Sequence, residues 1–543
     1  MQEPQKYIRL EEVLLRLEED EGILKARIAS ILGLGEDDII GYELVKHAVD
    51  SRNRRRIFFV YSADVLIESP EDFLAHKEAE PDWPEVVRRH KVRLHEPYIY
   101  KPGKVPFKRD MMRPLVVGAG PCGMFAALTL SMAGLKPIVI ERGKEVDERV
   151  SDVEKFLRTR RLDPESNVQF GEGGAGTFSD GKLYTLINDP RTKFIFTELI
   201  KAGAPPQIAW SATPHIGTDK LRGVVKNLRE RIIALGGEFK FDARLDDIRI
   251  ENGKAEAVIL ESGEEISAGK VILAIGHSAR DTYELLCKRG IRIEPKPFAI
   301  GLRIEHTAEI INRSQYHGFY NHPKLQAAKY KLVQHLPDAR SVYTFCMCPG
   351  GYVIAAASEP GCLVVNGMSE YTRDGANSNS ALLVSVLPAD FGSDHPLAGV
   401  EFQRNWEKRA FEAGGSDYSA PAQLVGDFLK MEPSRKPGKI RPTYEPGVKF
   451  GVLDNCLPDY VINSLRKAIP LMDKKIKGFA SYDAVLTGVE TRSSAPVRLV
   501  RGENLESNIK GIYPAGEGAG YAGGIVSSAI DGLKAAESII NSN

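Results

Sequence analysis

Few side chains in this sequence have the type and placement to move protons or electrons. Lys182 sits in SDGKL, just past a glycine-rich run, where a cation could steady developing negative charge. His277 follows Gly276 at the end of an apolar strand pattern, and His215 lies in TPHIGTD; either could serve as acid or base. For each of these three a structural role is the simpler reading. Asp219 reads as the N-cap of the helix that begins LRGVV. Arg492 and Arg498, in TRSSAPVRLVR, could hold a substrate carboxylate. Cys346 and Cys348 form a Cys-x-Cys pair. In an extended chain their side chains share a face about 7 Å apart, a poor disulfide. Packing is the favoured reading of the pair; redox and metal roles stay open, and no metal site is read elsewhere.

The richer signal lies in the glycines. There are 50, and three stretches spell GxGxxG: GAGPCG at 118–123, GEGGAG at 171–176 and GAGYAG at 518–523. The pattern carries meaning only with a strand before it, a helix after it, and a second strand ending in an acid about 20 residues on. GAGPCG meets every condition, with LVV before it, a small-residue helix after it, and IVIE ending in Glu141. There Gly118 allows the tight turn and Gly120 the approach of a pyrophosphate. Gly123 permits close helix–strand packing, with Pro121 and Cys122 opening the helix. Glu141 would accept from an adenosine ribose. SNVQF is a poor strand, and TFSDGKLYT a poor helix start, so 171–176 is no phosphate loop. After GAGYAG the acid is Glu537, inside a helix. No separate NAD(P)H unit is visible.

Length and composition bound the rest. At 543 residues, two or three domains are expected. Lys+Arg and Asp+Glu are both 73, so net charge points to no polyanionic partner. No apolar run nears the roughly 18 residues of a membrane span, and the start is unlike a secretory signal. Six cysteines fit a reducing cytoplasm. Residues 7–66 read as a small α/β module, and 70–110, rich in Pro and charge, as a connector. The basic cluster at 52–56 raises RNA binding, but a solvated hairpin turn explains it more simply, and nucleic acid is not expected as a partner.

GAGPCG…VIERG, KVILAIGHSARD and IYPAGEGAGYAGG together resemble the single-Rossmann flavoproteins of the glutathione-reductase-like superfamily. NVQFGEGGAGTFSDGKL, KPFAIGLRIEH, YTFCMCPGG, NGMSEYTRDG and TGVETRSSAPVRL, with a DSR element at Asp50, Ser51 and Arg52, are similar to a bacterial family of FAD-dependent dehydrogenases of undefined substrate. The resemblance implies FAD as cofactor. It sets Gly171, Gly173, Gly174, Gly176 and Thr177 along the cofactor, next to Arg142, with Gly276 in the closing strand. It sets Gly516, Glu517, Gly523, Gly524 and Ile525 at the flavin, Glu517 standing where relatives often have Asp.

The expected fold is α/β: a Rossmann-type FAD domain from 105–290 and 485–543, an inserted α+β substrate or cap domain at 291–484, and an accessory α/β module at 1–100. The expected function is an FAD-dependent oxidoreductase, a dehydrogenase or reductase, acting on a small-molecule substrate with NAD(P)H as a possible transient donor. A flavin-dependent RNA-modifying protein and a structural or sensor flavoprotein are the alternatives.

Overall fold

The computed structural model describes residues 5–106, 111–185 and 187–542. Its nucleotide-binding part is a five-stranded parallel sheet, in the order Ile512–Pro514, Val271–Leu273, Leu115–Val117, Ile138–Ile140 and Glu238–Lys240. LVV and VIL are buried outright and IVI nearly so, as befits strands covered on both faces. The helix Pro121–Ala133 starts at the end of the central strand and is buried almost all round. The helix Ile525–Asn541 lies against it with backbone contact: a Cβ on Gly532 would stand 2.1 Å from Cys122 O. The sheet is thus completed by a strand and helix from the far end of the chain. A hairpin layer, Leu245–Glu251, Lys254–Leu260 and Glu265–Ser267, sits beside it. Its first turn is Asn252–Gly253, both at positive φ (50° and 74°), the conformation that Asn-Gly favours.

Between these parts the chain builds a seven-stranded sheet in the order Val333–Gln334, Val342–Cys348, Asn377–Val386, Phe298–Thr307, Val485–Glu490, Ala420–Leu424 and Val448–Phe450. All pairings are antiparallel except the last. The central strand Phe298–Thr307 is buried along nearly its whole length, including Arg303, Glu305 and His306. Helices Ala398–Gly414 and Asp459–Asp473 pack on this part.

The N-terminal residues form a four-stranded antiparallel sheet in the order Gly41–Asp50, Phe58–Leu66, Tyr7–Arg16 and Arg93–His95. The last strand corrects the reading of 70–110 as a connector. In that segment residues 96–106 form no element and 107–110 lie outside the described residues, but helices Pro70–Lys77 and Trp83–His90 form and lead to the edge strand Arg93–His95. Its few aromatics suffice for this: Trp83 is buried with its ring edge-on to Phe73 at 5.9 Å. Among the described residues, no helix is long and apolar enough to cross a membrane.

A buried ion-pair cluster ties the parallel sheet to the seven-stranded one. Arg280 opens the helix Arg280–Lys288, and Glu407 lies in Ala398–Gly414. Glu407 accepts from Arg280 at 2.7 and 2.9 Å, from Arg492 at 2.8 and 3.1 Å, and from Thr491 Oγ1 at 2.7 Å. Burial opposes the carboxylate charge, but the two guanidiniums hold its pKa far below the ordinary range. Glu359 joins through Arg280 and Arg404. Removing one partner of such a cluster strands uncompensated buried charge, at about 3–5 kcal/mol. Glu407→Gln is therefore expected to move the first unfolding transition to clearly lower denaturant. A midpoint matching the wild type would show that the cluster does not join the two parts.

Candidate functional site

The three glycine loops meet. Gly118 has φ +102°, and a Cβ there would lie 2.4 Å from Ala274 O. A Cβ on Gly123 would be 1.8 Å from Gly118 O, so the helix can start this close to the strand only with glycine. The loop at 171–176 lies directly on this turn. Gly173 N donates to Ala119 O at 2.9 Å, and a Cβ on Gly174 would stand 3.1 Å from Gly120 Cα. A Cβ on Gly176 would meet the Ile525 side chain at 3.4 Å, which brings in the third loop. That loop packs on Gly276: a Cβ on Gly518 would be 2.5 Å from Gly276 O. Together they line a cavity of about 750 Å³, within the range of about 300–1,000 Å³ usual for cofactor sites.

Of the residues singled out from sequence, Gly118, Gly120, Pro121, Cys122, Glu141, Arg142, Gly174, Gly176, Gly276, Glu517, Gly523, Gly524 and Ile525 line this cavity. Gly123, Gly171, Gly173, Thr177 and Gly516 do not. Each stands behind the wall for a packing reason. Gly171 (φ +115°) gives room to the buried Arg149, whose Cδ would be 2.4 Å from a Cβ, and Gly173 gives room to Thr177 Oγ1. Thr177 Oγ1 donates to Glu172 O at 3.2 Å, and Gly516 backs onto Cys122.

Glu141 is already engaged by the backbone around it. Its carboxylate accepts from Ala119 N at 2.8 Å, Gly143 N at 3.0 Å and Gly171 N at 3.0 Å. About one of its roughly four acceptor positions remains for a ligand. Arg142 pairs with Glu165 and Asp281 and lies 4.1 Å from the Phe170 ring centroid.

The other end of the cavity is polar and faces the seven-stranded sheet. Lys182 lines it with Asp180, Glu490, Lys296 and Cys346. Asp180 is buried and accepts from Arg373 and Ser369. Burial works against the Lys182 charge, but Cys346, Cys348 and Asp180 hold the ammonium above its ordinary range. Glu490 accepts from the buried Arg303 at 2.7 Å; burial pushes its carboxyl up to about 7 against that pairing. Lys296 is pushed down, by burial first and then by Arg498, with Glu517 opposing.

Asp180, Lys296, Arg303 and Glu490 did not stand out in the sequence. Arg303 and Glu305 left a signal, two opposite charges inside the otherwise apolar strand FAIGLRIEH. His277 lines the cavity, with Nδ1 2.9 Å from Ser278 Oγ; burial, then Arg492 and Arg280, push it down to about 3, so it is neutral at pH 7. His215 is off the cavity wall: Nε2 is 3.0 Å from Tyr371 O, and burial, then Arg373, push it down to about 4.

Asp219 is not an N-cap. The helix starts at Thr218 behind Gly217, and Asp219 instead accepts from Tyr371 N at 2.8 Å. Arg492 reaches the cavity but is committed to Glu407, Ser278 and Ser358, whereas Arg498 is exposed, 5.3 Å from the Tyr521 ring centroid. The pair therefore does not form a carboxylate clamp. Arg52 is exposed at a hairpin turn, chelated by Asp50.

Comparison with known proteins finds FAD-related families along much of the chain. Residues 111–150 match the family described as FAD binding domain, and 297–493 the family described as FAD-dependent protein, C-terminal domain-like. A domain of unknown function matches 7–66. An uncharacterized protein of Clostridium beijerinckii is 50% identical over 535 residues, 98% of each chain. A rubredoxin-NAD(+) reductase of Ectopseudomonas oleovorans is 42% identical over 66 residues, 12% of this chain and 17% of that protein. Among solved structures, the flavin-dependent brominase Bmp2 matches at 10% identity and TM-score 0.37, covering 80% of each chain. Glycine oxidase from Bacillus cereus matches at 12% identity and TM-score 0.30, over 80% of this chain and 95% of that one.

Glu517 sets a pH signature for the site. Burial pushes its carboxyl from 4.5 up to about 7, with Lys296 opposing and Cys346 adding. The folded chain then holds this proton more tightly than the unfolded chain. The corresponding stabilisation is complete below about pH 4.5 and is lost as pH rises through about 7. Glu517→Gln is expected to flatten that decline in the cofactor-free protein. Parallel curves of unfolding midpoint against pH for variant and wild type would refute the buried, cavity-facing carboxyl.

Proposed function

The chain belongs to a family of FAD-dependent flavoproteins, and we propose that it is an oxidoreductase, a dehydrogenase or reductase, passing hydride or electrons between a small-molecule substrate and FAD. The observation that carries this reading is the shape of the cavity. One end is bare backbone from three glycine loops, and the other gathers Lys182, Lys296, Glu490 and Glu517.

The residues present fit FAD. The helix Pro121–Ala133 begins at Gly120 with no side-chain cap, and Ile525–Asn541 begins at Gly524 in the same way. Their first N–H groups are left for a ligand at the cavity. In the cradle, added Cβ atoms would crowd Gly118 and Gly174, at 2.4 Å from Ala274 O and 3.1 Å from Gly120 Cα, while Gly120 and Gly176 leave bare backbone at the cavity. The turn at Gly120 would hold the pyrophosphate, the remaining acceptor position of Glu141 a ribose hydroxyl, and Glu517 the ribityl chain. The N-terminus of Ile525–Asn541 would face the ring and favour negative charge there. Bound FAD would supply the two-electron chemistry. Lys182 would hold positive charge beside it, and NADH or NADPH from solution would serve as transient donor.

This reading has a direct test. Purified protein should be yellow, with stoichiometric FAD, and should be reduced anaerobically by a nicotinamide or a small-molecule donor faster than free FAD is. Colourless protein that cannot be reconstituted would refute the flavin site; bound FAD that no donor reduces would leave a structural flavoprotein instead.

Gly120 separates binding from folding. It has φ −75°, and a Cβ there would find its nearest neighbour 3.7 Å away. Gly120→Ala should therefore keep the unfolding midpoint of the cofactor-free protein. FAD affinity should fall at least about tenfold, or about 1.4 kcal/mol, by equilibrium dialysis. Undiminished affinity would place the pyrophosphate away from this turn.

A further inference from the structure

The strand Val342–Cys348 does not stay extended to its end. Its pairing with Asn377–Val386 slips between Phe345 and Cys348, and Cys346 has φ +43°, a region a non-glycine residue seldom occupies. The bulged backbone therefore does not hold the two side chains in the extended arrangement that would keep a Cys346–Cys348 bond from forming. Both sulfurs instead meet one cation: Lys182 Nζ is 3.8 Å from Cys346 Sγ and 3.7 Å from Cys348 Sγ. Arg303 donates to Cys346 O at 2.7 Å and stands 3.9 Å from Cys348 Sγ. Cys348 is fully buried, whereas Cys346 reaches the cavity wall.

Charge balance asks more of these sulfurs than packing. Lys182 and Arg373 share one carboxylate, Asp180, and Arg303 pairs with Glu490. Asp180 is held close by Arg373 but lies 3.8 Å from Lys182 Nζ. Lys182 thus has no close carboxylate of its own, and a thiolate at Cys346 would give it a partner of opposite charge.

We propose that Cys346 and Cys348 form a redox-active dithiol–disulfide couple that exchanges two electrons with the flavin, Cys346 being the sulfur on the cavity side. The proposal rests on the FAD reading above. In the oxidising direction the Cys346 thiolate and the Cys348 thiol lose two electrons and one proton and form one S–S bond. Both electrons and the proton would pass to oxidised FAD bound at the cavity, which supplies the two-electron acceptor. The reverse cleaves the disulfide and restores thiolate and thiol. Contact with Cys348, then Lys182 and Arg303, lowers the Cys346 pKa against burial, and contact with Cys346 together with burial raises Cys348, whose thiol donates to Cys346 O at 3.3 Å. Lys182 is a positioning residue that stabilises the thiolate.

The test uses full-length holoprotein carrying Cys287→Ser, which removes another partly exposed thiol. Anaerobic dithionite titration of the air-oxidised protein should consume two electron equivalents beyond those of the flavin, and Cys346→Ser or Cys348→Ser should abolish the excess. Peptide mass spectrometry of the oxidised parent, which needs no cysteine variant in the pair, should find 346 joined to 348. Lys182→Met should slow alkylation of Cys346 by iodoacetamide at neutral pH at least about tenfold and move its pH profile upward, with Lys182→Arg restoring most of the rate.

A titration ending at the flavin's own equivalents, or a pair that stays unlinked after oxidation, overturns the couple and leaves the FAD site standing. An alkylation profile unmoved by Lys182→Met overturns the thiolate. Protein that binds no FAD overturns both readings together.

Discussion

Much of this protein depends on one irregular buried loop and the two side chains that satisfy it. Residues 167–176 belong to no strand and only briefly to a helix, yet most of them are buried, so their peptide groups need partners from elsewhere. Arg149 provides them. Its guanidinium, itself fully buried, donates to the carbonyls of Asn167, Val168, Gly171 and Glu172 at 2.6–3.2 Å. Burial pushes its pKa down to about 10, with Glu141 and Glu172 opposing, which still leaves it charged. Glu141 takes the Gly171 N–H together with those of Ala119 and Gly143. One cation and one anion thus replace the ladder that a strand would have supplied, and they fix the second glycine loop against the first.

This clamp explains why GEGGAG spells a fingerprint without being one. Gly171 is glycine for Arg149 and Gly173 for Thr177, whereas Gly174 is glycine for its φ of +60° and its approach to Gly120, and Gly176 lines the cavity beside Ile525. The same letters answer two unrelated steric demands. At 118–123 the demands are the strand's carbonyl at Ala274 and the helix's own approach to Gly118. Context therefore decides: the acid after a true fingerprint ends a strand, and here that acid also closes the neighbouring loop.

Local grammar was legible in the sequence, and distant meetings were not. The strand, turn, helix and acid of 115–141 could be read because each sits within a few residues of the next and obeys its own rule. Asp219 reads as an N-cap in the sequence because its actual partner, Tyr371 N, is 152 positions away. The segment 70–110 was misread because a strand of three residues leaves almost no periodicity; Trp83 and Phe73 were the only hints that it packs. The Cys-x-Cys spacing implies an ideal strand, and the bulge at Phe345–Cys348 makes it something else. No spacing in the sequence announces that Lys182 stands between two sulfurs 164 and 166 residues on.

The polar end of the cavity has a further logic. Buried charges are costly unless each finds a partner with good geometry, and here pairing is shared rather than one to one. Asp180 serves Arg373 and Lys182, and Arg303 serves Glu490 and the Cys346 carbonyl. Asp180, facing two cations, is held below its ordinary value, whereas burial pushes Glu490, with Arg303 alone beside it, and Glu517 up to about 7, and Lys182 stays charged. A wall of this kind holds its dipoles and charges fixed before any ligand arrives, at no reorganisation cost when charge moves. The buried Glu407 cluster, by contrast, gives one carboxylate two guanidiniums and a hydroxyl in direct contact, and its pKa falls instead of rising. The two clusters use the same residue types. What separates them is whether the compensation is complete, as at the joint between the two sheets, or partial, as at the wall that faces the cavity.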